Sequence, residues 1–408
     1  MEEKASTPAS TVKDEPMSSS YADGLSPYDN KGKLGLKEIF DSREEVLQKV
    51  SQLAVWIKEA KHVVFHTGAG ISTSAGIPDF RGPQGVWTLE AKGLRPTVNI
   101  SFNNAVPTKT HLALKTLVEK GVVKYVISQN IDGLHLRSGL PRHSMSELHG
   151  NMFTEQCNHC ERLFVRSTAT TSVGQRCLER SCPTSRPGGR PCRGKIHDTI
   201  LDWEANLPER ELCMAEWHSG MADLSITLGT TLQILPSGNL PLLAKKREGK
   251  VDKKGDLLIR AYVDEIMEEL VSHLGLAIPP FFPDLDPTQR AANSIVEWTI
   301  TPKVMQLVRR THTEICKTTP KPPPRKRKKK AEESPIKNEE QNGKSESVCS
   351  EKISANTEQG SEQDSKSVIK PEHILGETYL LNNTKNDIPM IDISDSANLN
   401  ALKQEIDP

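Results

Sequence analysis

Five of the eight cysteines fall between Cys157 and Cys192. Cys157 and Cys160 stand at the spacing that places two thiolates on one knuckle. Cys182 and Cys192 supply a second pair, which completes a tetrahedral four-cysteine zinc site. Four thiolates leave no open coordination position, so such a metal is structural. Cys177 and His159 compete as ligands; Cys177 is read as spare and His159 as a loop residue. Cys213, Cys316 and Cys349 are isolated. The opening MEEKASTPASTVKDEP lacks the apolar core of a secretory signal, so clustered cysteines suggest metal in a reducing compartment rather than a disulfide framework.

Three loops carry the remaining chemistry. In TGAGISTSAGIPDFRG (67–82), Gly68 and Gly70 permit a tight turn and close approach of backbone N–H groups to a phosphate, although a plain turn uses the same residues. Asp79, Phe80 and Arg81 add an anion, a flat apolar face and a guanidinium. In SQNIDGLH (128–135), Gln129, Asn130 and Asp132 are compact hydrogen-bonders, or alternatively an Asx-rich turn. GTTLQILPSGNLP (229–241) reads as a second phosphate cradle, or as a strand-to-helix turn capped by Thr230 or Ser237. His149, in ELHGN, suits proton abstraction from a hydroxyl at neutral pH; a structural histidine is the plain alternative.

These loops need a scaffold, and the hydrophobic pattern supplies one. Ser42 with Glu45 forms a capping box before Val46, Leu47, Val50, Leu53, Ala54 and Ile57, which follow a helical period. The β-rich runs HVVFH (62–66), VKYVIS (123–128) and ADLSITLGT (222–230) alternate with helices, which predicts a parallel α/β sheet. Ligands bind at the carboxyl ends of such strands, where the three loops lie.

Together these strings resemble the sirtuin family of NAD-dependent protein deacylases, and its class IV branch in particular. The resemblance rests on GAGIS (68–72), GIPDFRG (76–82), SQNIDGLH, ELHGN, the Cys-x-x-Cys module and GTTL (229–232), and it covers about residues 20–280. It implies a Rossmann-type parallel sheet with a smaller inserted zinc domain. It also implies that Ala69, Asp79, Phe80, Arg81, Trp87, Gln129, Gly229, Thr230, Thr231 and Val263 contact NAD. Asn130 and Asp132 line the nicotinamide end, His149 is the catalytic base, and Asp202 and Trp203 lie beside the substrate lysine. The implied reaction consumes NAD as co-substrate, gives nicotinamide and O-acyl-ADP-ribose, and acts on acylated histone H3 tails. Long-chain fatty deacylation and protein ADP-ribosylation are further activities of this branch.

One stretch departs from that pattern. Relatives continue the helix NLPLLAKKREGK (239–250) with an apolar strand ending Asn-Leu-Gln, which binds the adenine-side ribose; here the chain runs directly into VDKKGDLLIRAYVDE (251–265). No Asn or Gln occurs between Asn239 and Gln289. A core strand is therefore expected to be missing, leaving its neighbours with unpaired backbone groups and NAD binding weakened. DLLIRAYV could slide into the gap only by shifting Val263. A catalytically weakened chromatin-binding protein is the competing expectation to a deacylase.

The chain as a whole is uneven. Lys+Arg and Asp+Glu each number 53, and hydrophobic residues make up 35%, below the ~45–50% of ordinary domains with glycine counted. Residues 1–35 read as mostly disordered, 36–300 as the folded body with the zinc module at about 150–200, and 301–330 as a linker. That linker ends in KPPPRKRKKK, a nuclear-import-like cluster that could also meet DNA phosphates, which predicts a chromatin-associated nuclear protein. Residues 331–408 hold 7 Lys against 16 Asp+Glu and read as a solvated acidic tail. The zero net charge is thus a cancellation between a basic body and an acidic tail. No run reaches the ~18 apolar residues of a membrane span. The sequence gives no indication of oligomeric state.

Overall fold

The computed structural model describes residue 18, residues 21–97, 100–186, 188–244, 256–306 and 310, and the backbone of Glu377–Leu381. The basic cluster 321–330 and most of the 331–408 stretch lie outside the described residues. All described elements belong to one compact unit formed by 1–316 together with 373–408.

The first half holds α1 (Arg43–Glu59), β1 (Val63–Thr67), α2 (Val86–Glu90), α3 (Lys109–Glu119), β2 (Val123–Ser128), α4 (Leu134–Arg137) and β3 (Met145–Glu147). A small-sheet insertion follows, made of β4 (Thr154–Cys157), β5 (Leu163–Val165), β6 (Cys177–Ser181) and β7 (Lys195–Asp198). The chain then returns through α5 (Glu209–Met221), β8 (Leu224–Leu228), β9 (Leu257–Arg260), α6 (Val263–His273) and α7 (Pro287–Ala291). A last strand, β10, spans Glu377–Leu381. Among the described residues no helix is long and apolar enough to cross a membrane.

The large sheet has the order β3-β2-β1-β8-β10-β9. β1 pairs in parallel with both β2 and β8, and β2 in parallel with β3. β1 and β8 are buried along their whole length, as expected for strands covered on both faces. One face carries α1, α3 and α6: Val50 and Leu53 of α1 and Ile266 and Leu270 of α6 share a core with Phe65, Val126 and Ile226 of the strands. The other face is covered by α5 and the 3-10 turn Ser237–Leu243, which pack Met214 and Leu240 on Val64 and Ile127. The capping box starts α1 as expected: the Glu45 N–H donates to Ser42 Oγ at 3.3 Å and the Ser42 N–H to Glu45 Oε2 at 2.9 Å.

The small sheet is antiparallel, in the order β5-β4-β7-β6. A returning segment ties it to the body: the Val165 N–H donates to Val296 C=O at 2.9 Å, and the Trp298 N–H to Leu163 C=O at 2.8 Å.

Two stretches differ from the sequence reading. Residues 21–35, inside the segment expected to be disordered, include the 3-10 turn Tyr21–Gly24 and are anchored at Ser26 and Lys33. And β10, inside the expected solvated tail, lies between β8 and β9, antiparallel to both. The backbone groups that a missing strand would have left unpaired are met by a strand from more than a hundred residues downstream.

Candidate active site

The loops that follow β1, β2 and β8 converge on one cavity of about 640 Å³. Its wall includes Ala69, Asp79, Phe80, Arg81 and Trp87 from the first glycine loop and the helix after it. Gln129, Asn130 and Asp132 come from the second loop, and Gly229, Thr230 and Thr231 from the third. His149, Asp202 and Trp203 complete the set. Val263 is the exception: it is buried in the main core at the start of α6 and does not line the cavity.

The glycines act differently from the simple phosphate-cradle reading. The Gly68 N–H donates to Leu228 C=O at 3.0 Å and the Gly70 N–H to Gly229 C=O at 2.9 Å. Those donors are spent on locking two loops together. A Cβ on Gly70 would lie 2.8 Å from Gly229 Cα, so the backbones meet with no room for a side chain. Gly229 itself has φ +57°, a left-handed conformation that glycine adopts without steric cost.

The second loop is bonded inward. Asp132 is buried; it accepts from Ser72 Oγ at 2.7 Å and from the Leu134 N–H at 2.9 Å, and burial raises its pKa. Asn130 Nδ2 donates to Gly68 C=O at 3.1 Å and to Ser72 Oγ at 3.3 Å, joining the first and second loops. Asp79 accepts from the Gly82 N–H at 2.9 Å through Oδ2, while its buried Oδ1 has no protein partner. Burial pushes this carboxyl up to about 6. This unmatched oxygen is buried against the Gly82–Gly85 turn, although the Asp79 residue lines the cavity.

His149 is held in one tautomer. Its Nδ1 lies 2.9 Å from Gln129 C=O, which can only accept, so Nδ1 carries the proton. Nε2 is left as the basic atom, 3.3 Å from Ser237 Oγ. Burial lowers the imidazole pKa, with the Gln129 hydrogen bond opposing it, so the ring is neutral at pH 7. A polar network fixes the strand leading to it: Glu147 accepts from Trp298 Nε1 at 3.1 Å, and its N–H donates to Glu211 Oε2 at 3.0 Å.

Aromatic side chains form part of the cavity wall. Trp87 and Trp203 ring centroids are 5.3 Å apart, Phe80 lies 4.8 Å from Trp87, and Tyr28 stacks on Trp203 at 5.3 Å. The Arg81 guanidinium carbon sits 4.6 Å above the Trp87 ring, and Nε donates to Lys31 C=O at 2.9 Å. Asp202 accepts from Ser26 Oγ at 2.6 Å, and that bond is the main cause of its lowered pKa. Sequence reasoning assigned no site role to Tyr21, Tyr28 or Ser26. The available signal was two tyrosines in an otherwise polar, unpatterned stretch.

The four expected cysteines come together. The ligand atoms of Cys157, Cys160, Cys182 and Cys192 all lie within 4.8 Å of one another. Cys157 and Cys192 sulfurs are 3.8 Å apart, and those of Cys160 and Cys182 3.7 Å. A tetrahedron with Zn–S bonds of ~2.3 Å has edges of about 3.8 Å, so the sulfurs fit a zinc ion. Cys177 is exposed and outside the group, and His159 faces Arg186.

Comparisons with known proteins agree with this geometry. Residues 95–236 match the model of the Sir2 family. The NAD-dependent protein deacetylase Sirt6 of Drosophila melanogaster is 55% identical over 296 residues, which is 70% of this chain and 93% of that protein. The NAD-dependent protein deacetylase SRT1 of Oryza sativa subsp. indica is 43% identical, over 70% of this chain and 61% of that one. The Arabidopsis thaliana SRT1 is also 43% identical, over 65% and 57% respectively. More than half identical to a relative that it covers along 93% of its length, and matched by the family's model, the chain belongs to the Sir2, or sirtuin, family, whose co-substrate is NAD.

Proposed function

We propose that the chain is an NAD-dependent protein-lysine deacylase acting on acylated histone H3 tails in the nucleus, on chromatin. The observation that carries the reading is His149: a neutral imidazole on the wall of the cavity lined by all three loops, whose Nδ1–H is fixed on Gln129 C=O and whose Nε2 is the basic atom. The names of the relatives, NAD-dependent protein deacetylases, support the reaction class.

NAD, when bound, supplies a ribose whose bond to nicotinamide can be broken and whose carbon then takes the acyl oxygen. The chain's own residues do the rest. Thr230, Thr231 and the Arg81 guanidinium would meet phosphate, and Asp79 would stand at the ribose. His149 Nε2 takes the hydroxyl proton and, being neutral at pH 7, is free to do so. Phe80, Trp87 and Trp203 exclude water and give an apolar channel for an acyl-lysine, which suits long acyl chains as well as acetyl. Cys157, Cys160, Cys182 and Cys192 would hold zinc, which would order the small sheet and take no part in bond making.

The test incubates the full chain with acetylated and with myristoylated H3 peptides. Product should require NAD, fall with added nicotinamide, and vanish in His149→Tyr. No turnover of either peptide would favour a chromatin-binding role. That reading draws on the absence of any Asn or Gln between Asn239 and Gln289 for the adenine-side ribose. Transfer of ADP-ribose to protein uses the same residues and would appear as label from NAD retained on protein.

A further inference from the structure

β8 and β9 bond to β10 and not to each other. Because β10 is antiparallel to both, β8 and β9 are parallel, separated by two strand spacings, roughly 9–10 Å. Neither can cross that distance. β8 is committed to β1 along five consecutive residue pairs. β9 is pinned on its own side: the Asp41 N–H donates to Arg260 C=O at 2.9 Å, the Arg260 N–H to Asp41 Oδ2 at 2.8 Å, and Ile259 is fully buried in the main core. The slot between them needs an occupant, since buried backbone groups left without partners are costly.

Among the described residues the connection between β8 and β9 forms the Ser237–Leu243 turn and lays no strand in the slot. A hairpin connection could in principle supply a short antiparallel strand, but the stretch after that turn, KKREGKVDKKG (245–255), is charged and poor in β-formers, so it is a poor central strand. GETYLLNN (376–383) has the right character, since Thr and Tyr favour extended structure, and Gly376 and the Asn382-Asn383 pair bound the run. A strand arriving on a long tether is not held to the parallel direction of a crossover, which accounts for its antiparallel pairing.

We infer that the β8–β9 slot is a strand-acceptor site, filled in cis by residues 377–381. Thr378 pairs with Leu228 and Ile259, Tyr379 with Thr227 and Leu258, and Leu380 with Ile226 and Leu257. Sixty-six residues separate Arg310 from Glu377 in the sequence, and being covalently joined to the acceptor favours filling by the same chain over filling by a second copy. The acceptor recognises extended backbone, so an added peptide of the same sequence can replace the tail.

Amide hydrogen exchange on the full chain, without NAD, tests this separately from any activity. Amides of 225–228, 257–260 and 377–381 should exchange slowly together. Leu380→Pro removes a ladder donor from a central strand and should speed exchange in β8 and β9 at least tenfold, whereas Ala401→Pro in the same tail should not. In a chain ending at Glu372, a synthetic peptide of residues 373–385 should restore the protection in a saturable way. Exchange of 377–381 at the rate of an unstructured peptide in the unmutated chain would overturn the inference. So would unchanged protection of β8 and β9 in Leu380→Pro. Protection that rises with protein concentration alongside a dimeric mass would overturn filling in cis, by showing that a second copy donates the strand.

Discussion

The contact between Gly70 and Gly229 makes a sharp prediction, because two glycine-to-alanine changes in one molecule should act in opposite directions. In Gly70→Ala the new Cβ meets Gly229 Cα at 2.8 Å, its carbonyl oxygen at 3.0 Å and its carbonyl carbon at 3.2 Å. All three are backbone atoms, so no side chain can rotate away. Overpacking of this kind costs about 1–3 kcal/mol. Relief requires the two loops to separate, which stretches the Gly70 N–H to Gly229 C=O bond and moves Thr230 and Thr231. In Gly220→Ala the new Cβ meets nothing within 4 Å, near the end of helix α5. Alanine is the better helix former by up to about 1 kcal/mol. At ~2–4 °C per kcal/mol for a body of this size, Gly70→Ala should lower Tm by roughly 2–12 °C and Gly220→Ala should hold or raise it. NAD affinity, read by calorimetry, should fall about tenfold in the first, equivalent to ~1.4 kcal/mol, and stay level in the second. A Gly70→Ala protein with unchanged Tm and unchanged NAD affinity would refute the account of these loops as interlocked.

Three further outcomes follow from the same structure. Because burial lowers the pKa of His149 below its ordinary ~6.5, the acid limb of kcat/KM should lie below pH 6.5; a limb above that value, abolished by no other substitution, would remove His149 as the base. His66 and His111 are buried, and burial drives each pKa down to about 3. Below pH ~6.5 the unfolded chain binds protons that the folded one refuses, so stability is lost as pH falls, by about 2 kcal/mol for the pair between pH 6.5 and 5.5. Urea unfolding at the two pH values measures this, and His111→Gln should reduce the measured difference by about 1 kcal/mol. Inserting an apolar strand ending Asn-Leu-Gln after Lys250 should tighten NAD binding severalfold by restoring ribose contacts; equal affinity in the two chains would show those contacts are not needed.

What could be read from the sequence, and what could not, divides by the reach of the interaction. The zinc ligands were legible because ligation demands one residue type at a few spacings, and four sulfurs at about tetrahedral separation fulfil it. The three loops were legible because each directly follows a strand with a strong apolar pattern. The loop-to-loop chemistry was not: a glycine's N–H is equally suited to a phosphate or to a carbonyl, and only the folded approach of Gly229 shows that Gly68 and Gly70 bond to protein. Tyr21 and Tyr28 escaped notice for a related reason. Residues 21–35 have almost no regular structure to leave a periodic trace, and are held by single long-range bonds, Ser26 Oγ to Asp202 and the Lys33 N–H to Gln233 Oε1 at 2.8 Å.

The large sheet shows the same division most sharply. A strand vacancy is filled by backbone donors and acceptors, which every residue but proline possesses, so the vacancy specifies a direction and a length far more than a sequence. The absence of a strand after Lys250 therefore removes a connection without dictating an open gap. β8 and β9 remain parallel and two spacings apart because both share the core that α1, α3 and α6 build on one face of the sheet. Side-chain chemistry obeys a stricter rule. Glu377–Leu381 can restore the ladder, yet the run contains no Asn or Gln to replace the ribose-binding pair. Fold and cofactor affinity should in this way separate in one element: backbone repair preserves the first, and the Asn-Leu-Gln insertion tests whether the second is lost.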